Sequence, residues 1–225
     1  MARTKDFQSA FDIIGPVMMG PSSSHTAGAV KIGQAARAVL GETPETIKID
    51  YYESFAETHQ GHGTDLAIIG GLLGLSTFDS RIKHATKMAK AAGIDFDFVE
   101  NAGPSLGEHP NCALIQIDYR DRHVELNGIS IGGGAFKVKS IHVNHMCILM
   151  SHTPPILVID GDCTVSEANH LINEMIAHGI DINEEIKTRR GTHCLLALHL
   201  NQPIDKAILS TIKNNRQHLN FSYIE

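Results

Sequence analysis

The stretch ILVIDGDCTVSEANHLINEMIAHGIDINEEIKT, residues 156–188, decides the architecture of the C-terminal part of the chain. Ile156 to Asp160 is a short apolar run rich in β-branched residues, the composition of a buried strand. Val165 to His178 repeats its apolar positions at helical spacing, and Gly179 follows as a stop signal. Ile182 to Thr188 reads as a second strand and Arg189-Arg190-Gly191 as a turn.

Downstream, Cys194 to Leu200 alternates as a strand, Pro203 opens a helix through Asn214, and Leu219 to Ile224 forms a last strand. The order β-α-β-β-α-β is that of a ferredoxin-like unit. Upstream, Thr153-Pro154-Pro155 breaks the pattern. A domain boundary near residue 150 is therefore expected, with domains at 1–150 and 151–225. Residues 27–40, AGAVKIGQAARAVL, predict a helix of small residues stopped by Gly41, and Thr46 to Tyr52 predicts a strand. Gly61 to Asp65 reads as a turn before the short apolar helix LAIIGGLLGL, whose glycines predict tight packing on a neighbour. A helix over Ile82 to Ala92 and strands at Phe96 to Val99, Ala113 to Tyr119 and His123 to Leu126 complete the reading. Ser130 to Gly134 is expected to be a loop, and His142, His145 and His152 a polar linker. The fold class is α/β (α+β).

With 225 residues and 42% hydrophobic content, the chain can bury one large domain plus a small module. A net charge of -6 argues against a phosphate-binding nucleic-acid surface. No basic run points to a membrane surface, and no segment approaches the ~20 apolar residues of a membrane span. The first eleven residues lack the apolar core of a secretory signal, so a cytoplasmic protein is expected. The four cysteines, Cys112, Cys147, Cys163 and Cys194, have no metal-ligand spacing. No metal ligands are assigned.

Chemistry concentrates in Gly20-Pro21-Ser22-Ser23-Ser24-His25-Thr26. At a helix start these hydroxyls, the free amides and the helix dipole favour an anion such as a carboxylate, and His25 can move protons near neutral pH. A well-furnished helix cap accounts for the same residues equally well. In Gly61-His62-Gly63-Thr64-Asp65, flanking glycines leave His62 uncrowded. Thr64 or Asp65 could cap the next helix, or Asp65 could orient a histidine.

These two motifs, Phe11 to Pro16 and Ser130 to Gly134 together resemble the β subunit of bacterial iron–sulfur L-serine dehydratase, in order through residues 7 to about 140. The tail from about 155 resembles an ACT domain, and the N-terminal part is similar to the allosteric substrate-binding domain fold. The resemblance implies α,β-elimination of L-serine to pyruvate and ammonia. It also implies a [4Fe–4S] cluster acting as Lewis acid, ligated by a partner α subunit rather than by this chain. Carried over by position, His25, His62 and Asp65 are the expected catalytic residues. Ser22, Ser23, Ser24, Thr26, Gly63 and Thr64 are expected to bind substrate. Homodimer contacts through the β or ACT domains are also expected, and the chain alone is expected to be inactive. A regulatory module binding an amino acid or hydroxy acid without catalysis is the alternative. ACT domains that bind amino acids carry glycine near the position of Val165; here glycine comes earlier, at Gly161, which argues against effector binding.

Overall fold

The computed structural model describes residues 18, 20, 22–214 and 216–225. Phe11 to Pro16 and Pro21, which contribute to the resemblance, lie outside the described residues. A π-helical turn, Ser23–Gly28, runs directly into α1, Ala29–Leu40, which ends at Gly41 in the left-handed conformation. Then follow β1 (Thr46–Tyr52), α2 (Glu53–His62), α3 (Thr64–Leu72), a 3-10 turn (Ser80–His84), α4 (Ala85–Ala91) and β2 (Asp95–Asn101). An antiparallel run completes the first sheet: β3 (Cys112–Tyr119), β4 (Arg122–Gly132), β5 (Ala135–Val143) and β6 (Met146–His152). Its order is β2-β1-β3-β4-β5-β6, and only β1 and β2 are parallel, being joined through the helices.

Three sequence expectations are corrected here. Residues 53–60 form the first part of a helix that was not anticipated. ESFAETHQGH buries only Phe55 and His59, too few apolar positions to show a helical period. Ser130 and Ile131 belong to β4 rather than to a loop; Gly132, Gly133 and Gly134, all at positive φ, make the turn into β5. His142 and His152 are strand residues, not linker.

The second sheet contains β7 (Ile156–Asp162), β8 (Ile182–Arg190), β9 (His193–Leu200) and β10 (Leu219–Ile224), with α5 (Val165–Ala177) and α6 (Lys206–Asn214) between them. The order is β10-β7-β9-β8, fully antiparallel. The predicted turn shifts slightly, because β8 continues through Arg190. Thr164 caps α5, its hydroxyl accepting from the Glu167 amide at 3.1 Å.

β7 is buried on both faces, which explains its unbroken apolar run. Leu157 and Ile159 pack with Leu171, Met175, Leu209 and Ile212 of α5 and α6. Ile156 and Val158, with Leu195, Ala197 and Ile224, join the core built around α1 and the first sheet. The junction carries a bidentate ion pair between a half-buried arginine and a buried aspartate. Arg122 donates to both oxygens of Asp160, at 2.8 and 2.7 Å, and to the Val39 carbonyl at 2.8 Å. One guanidinium thus ties the end of α1 to the second sheet.

The glycines of α1 and α3 serve close approach, as their composition predicted. A Cβ on Gly71 would lie 2.1 Å from the Val30 carbonyl oxygen, and one on Gly33 would lie 2.4 Å from that of Ile68. The two helices bring their leading turns, and hence the two histidine motifs, together.

Candidate functional site

Ser22 caps the π-helical turn, its hydroxyl accepting the His25 amide at 3.2 Å, and the Thr26 amide donates to the Ser22 carbonyl at 2.8 Å. Capping is therefore real. The remaining groups of the motif are aimed elsewhere. His25 is buried, its Nδ1 2.9 Å from the Ser24 hydroxyl and 3.3 Å from that of Ser22. Its Nε2 lies 3.3 Å from the Ser54 hydroxyl. The ring meets Phe55 edge-on at 5.2 Å and His62 edge-on at 4.7 Å between centroids. The structure thus brings together His25 and His62 from two separate motifs. Burial, and then the neighbouring His62, push the His25 pKa down, so its imidazole is neutral at pH 7 and able to accept a proton.

Four buried polar atoms here have no hydrogen-bond partner among the described residues: Thr26 Oγ1, His62 Nδ1, Thr64 Oγ1 and Ser130 Oγ. Buried polar groups are ordinarily paired, so such a group calls for a missing partner. All four sit on elements that meet at the start of α1. Ser130 packs where Gly28 lacks a side chain; a Cβ there would lie 2.0 Å from its hydroxyl. Thr26 is packed against Gly20 in the same way. Ser23 is half-buried at the head of the turn.

The second motif departs from the sequence reading. His62 ends α2, and Gly63, at φ 70°, is its left-handed C-cap, the conformational reason for glycine at that position. Neither Thr64 nor Asp65 caps α3. Asp65 pairs with neither His25 nor His62; its Oδ1 lies 2.6 Å from Nδ1 of His59, whose Nε2 is 2.7 Å from Glu100. His59 escaped the sequence reading because nothing around it marks a site; its only signal is its place four residues after Phe55 and three before His62.

Ser54 was also missed, as was the part that the loop over residues 105–111 plays beside the site. Ser54 contacts His25 and lines a cleft of about 650 Å3, together with Glu53, Glu57, Glu100, Asn101 and Pro110. Glu53 holds φ 45°, a left-handed value strained for a non-glycine residue, immediately before Ser54. The Glu53 carboxylate accepts the Ser105 amide at 3.0 Å, the Phe55 amide donates to the Pro110 carbonyl at 3.2 Å, and the Ser130 amide donates to that of Asn111 at 2.9 Å. The loop thereby stitches α2 to β4.

The four cysteines do not converge on one site. Cys112 is buried beside Asn127, Cys147 is exposed 3.0 Å from His142, and Cys163 and Cys194 lie beside each other in the core under the second sheet. Burial pushes all four thiols up, Cys194 to about 12, away from the thiolate form that metal ligation uses. These residues do not fit an iron–sulfur cluster, and no group of His, Cys, Asp or Glu among the described residues forms a metal site. No helix among the described residues is long and apolar enough to cross a membrane.

Comparison with known proteins assigns the segment that carries the site to a family. The profile of the family described as "Serine dehydratase beta chain" matches residues 9–140, which span the two histidine motifs and Ser130. The chain is 45% identical to the "Probable L-serine dehydratase, beta chain" of Bacillus subtilis, over 92% of this chain and 93% of that one. It is 43% identical to the "L-serine dehydratase, beta chain" of Peptoniphilus asaccharolyticus, over 60% of each. It also matches 24% of the "L-serine dehydratase" of Haemophilus influenzae, at 36% identity. With a family profile across more than half its length and a relative matched nearly end to end, the chain belongs to the serine dehydratase beta chain family.

Proposed function

We propose that this chain is the beta subunit of an L-serine dehydratase and supplies the substrate-binding and proton-transfer half of an active site completed by an alpha subunit. The observation that carries the reading is the set of four unpaired buried polar atoms. They fall within the segment that the family profile matches, around two histidines in contact. L-Serine would place its carboxylate at the head of the π-helical turn, where Ser23, Ser24 and the first amides present donors to an anion. Thr26, Thr64 and Ser130 offer further hydroxyls, and Ser22 holds the turn in shape. One of the two histidines, His25 or His62, accepts the α-proton. Loss of that proton and of the β-hydroxyl as water leaves 2-aminoacrylate, whose imine tautomer hydrolyses to pyruvate and ammonia.

The cluster supplied by the alpha subunit would act as Lewis acid on the departing hydroxyl. This chain's own thiols do not fit that role, so the beta subunit alone is inactive in this reading. The second unit serves as an ACT-like module, a reading supported by its β-α-β-β-α-β order and the strand order β10-β7-β9-β8. Its glycine, Gly161, serves packing: a Cβ there would lie 2.5 Å from the His218 carbonyl oxygen, against β10. Val165, at the position where effector-binding modules use glycine, keeps its side chain exposed.

The test is anaerobic reconstitution with a cysteine-bearing alpha chain, following pyruvate and ammonia release from L-serine. Turnover by the pair and by neither chain alone is expected. Absence of pyruvate from a pair whose cluster is spectroscopically intact would overturn the reading, as would turnover by this chain alone.

A further inference from the structure

His59 lies one turn before His62 on α2 and is only 3% exposed, yet both of its ring nitrogens face carboxylates. Nδ1 meets Asp65 of α3 at 2.6 Å and Nε2 meets Glu100 of β2 at 2.7 Å. The ring face stacks on Tyr51 of β1, at 4.7 Å and 26°, and Phe98 of β2 flanks it. A neutral imidazole carries one N–H and can satisfy one of these carboxylates; the imidazolium satisfies both. Burial works against that charge, but the hydrogen bonds that the ring donates to Glu100 and Asp65 outweigh it and raise the His59 pKa above its ordinary value. The charged groups facing the ring are Asp65 and Glu100, with the Tyr51 phenol on its face and Asp97 on the rim of the same opening. Burial first, and then Asp65, hold that phenol protonated.

The clamp brackets the turn that carries His62. His59 precedes it, Asp65 follows it, and Gly63 between them would otherwise leave the backbone free to move. Among the described residues His62 has no hydrogen bond at Nδ1 to fix its own ring. We propose that His59, as an imidazolium between Asp65 and Glu100, is the positioning residue that holds His62 against His25. Its catalytic consequence rests on the dehydratase reading; the clamp itself does not. The linkage has a definite sign. Because the folded pKa is raised, the clamp is complete below about pH 6.5 and is lost as pH rises through the higher folded value.

Two measurements test this. In the isolated chain, histidine-ring NMR should show His59 titrating above about pH 6.5, and the His62 resonances should carry an inflection at the same pH. In His59→Asn and His59→Ala that inflection should vanish. In the reconstituted enzyme, both variants should lose about 100-fold in kcat with little change in KM, the penalty of a misplaced group, and the alkaline limb of the pH profile should move. His59 titrating at or below its ordinary value, or an unchanged His62 titration in the variants, would overturn the clamp. Variants with wild-type kcat and an unshifted profile would overturn its role in positioning. A wild-type pair that makes no pyruvate would instead refute the dehydratase reading and leave the NMR result to decide the clamp.

Discussion

Gly71→Ala provides a sharp test of how the helices place the two histidine motifs. In an exposed helix the change would stabilise the protein by about 1 kcal/mol through propensity alone. Here the new Cβ would lie 2.1 Å from the Val30 carbonyl oxygen and 2.8 Å from the Gln34 amide nitrogen, both backbone atoms of α1. Neither can rotate away. The helices must part by about 1 Å to restore van der Waals separation, opening a core that includes Ile68, Ile69, Val30 and Ile32. Overpacking of this kind costs about 1–3 kcal/mol. With both clashing atoms in the backbone the upper part of that range applies, about 2–3 kcal/mol; less the propensity gain, a net loss of about 1–2 kcal/mol is expected, which for a chain of this length lowers Tm by roughly 2–8 °C. Gly61→Ala is the matched control. It sits in α2 with nothing within 4 Å of the added atom, so it should stabilise by about 0.5–1 kcal/mol. Calorimetric melting of the two variants gives opposite signs if close helix approach governs Gly71. A Gly71→Ala protein at least as stable as the parent would refute the argument. In the reconstituted enzyme the same variant should also lose kcat, because α1 begins at His25's turn and α3 follows that of His62.

Other outcomes follow from single contacts. Asp160→Asn leaves the half-buried Arg122 without its counter-charge and should cost about 1.5–3 kcal/mol, read as a lower urea midpoint at unchanged slope. Thr164→Ala removes the cap of α5 and should cost about 1 kcal/mol in the same assay. His25 has a lowered pKa, so as a base it stays neutral and active below its ordinary titration range; the acid limb of kcat/KM should fall below about pH 6.5. His62→Ala removes the second of the two causes of that shift but not burial. The His25 pKa, followed by NMR, should then rise part of the way back and still remain below the ordinary value.

Legibility in the sequence tracked local chemistry. The second sheet and its two helices were readable nearly residue by residue, because β7, α5, β9 and β10 each carry a clean apolar period bounded by Gly, Pro or a Thr cap. The small-residue helices α1 and α3 were readable for the same reason, and their glycines signalled close approach before any partner was known. α2 was not readable. Its helical state is set by what it packs on, with Phe55 and His59 buried beneath a polar remainder, and that is a tertiary effect no short window contains. The end of the strand that includes Ser130 was hidden by the glycines following it, whose positive φ values carry the chain from the last strand residue, Gly132, through the turn.

The site divides along the same line. His25 and His62 were visible because glycine and serine surround them, and their contact at 4.7 Å joins motifs that the sequence could only set side by side. Asp65 was visible as a carboxylate near a histidine, but the nearer histidine in sequence was the wrong one. Asp65 follows His62 by three residues across a helix break, and Gly63's left-handed turn reverses the geometry that an unbroken helix would give. The carboxylate thereby reaches back six residues to His59. A histidine whose two nitrogens meet carboxylates from α3 and β2 cannot be identified by spacing, since β2 arrives forty residues later through a parallel crossover. Its charge state follows from that long-range pairing rather than from its neighbours in the chain. If His59 carries the positive charge, His25 can remain the neutral base while the turn beside it is held by an ion pair, and the two histidines divide positioning from proton transfer.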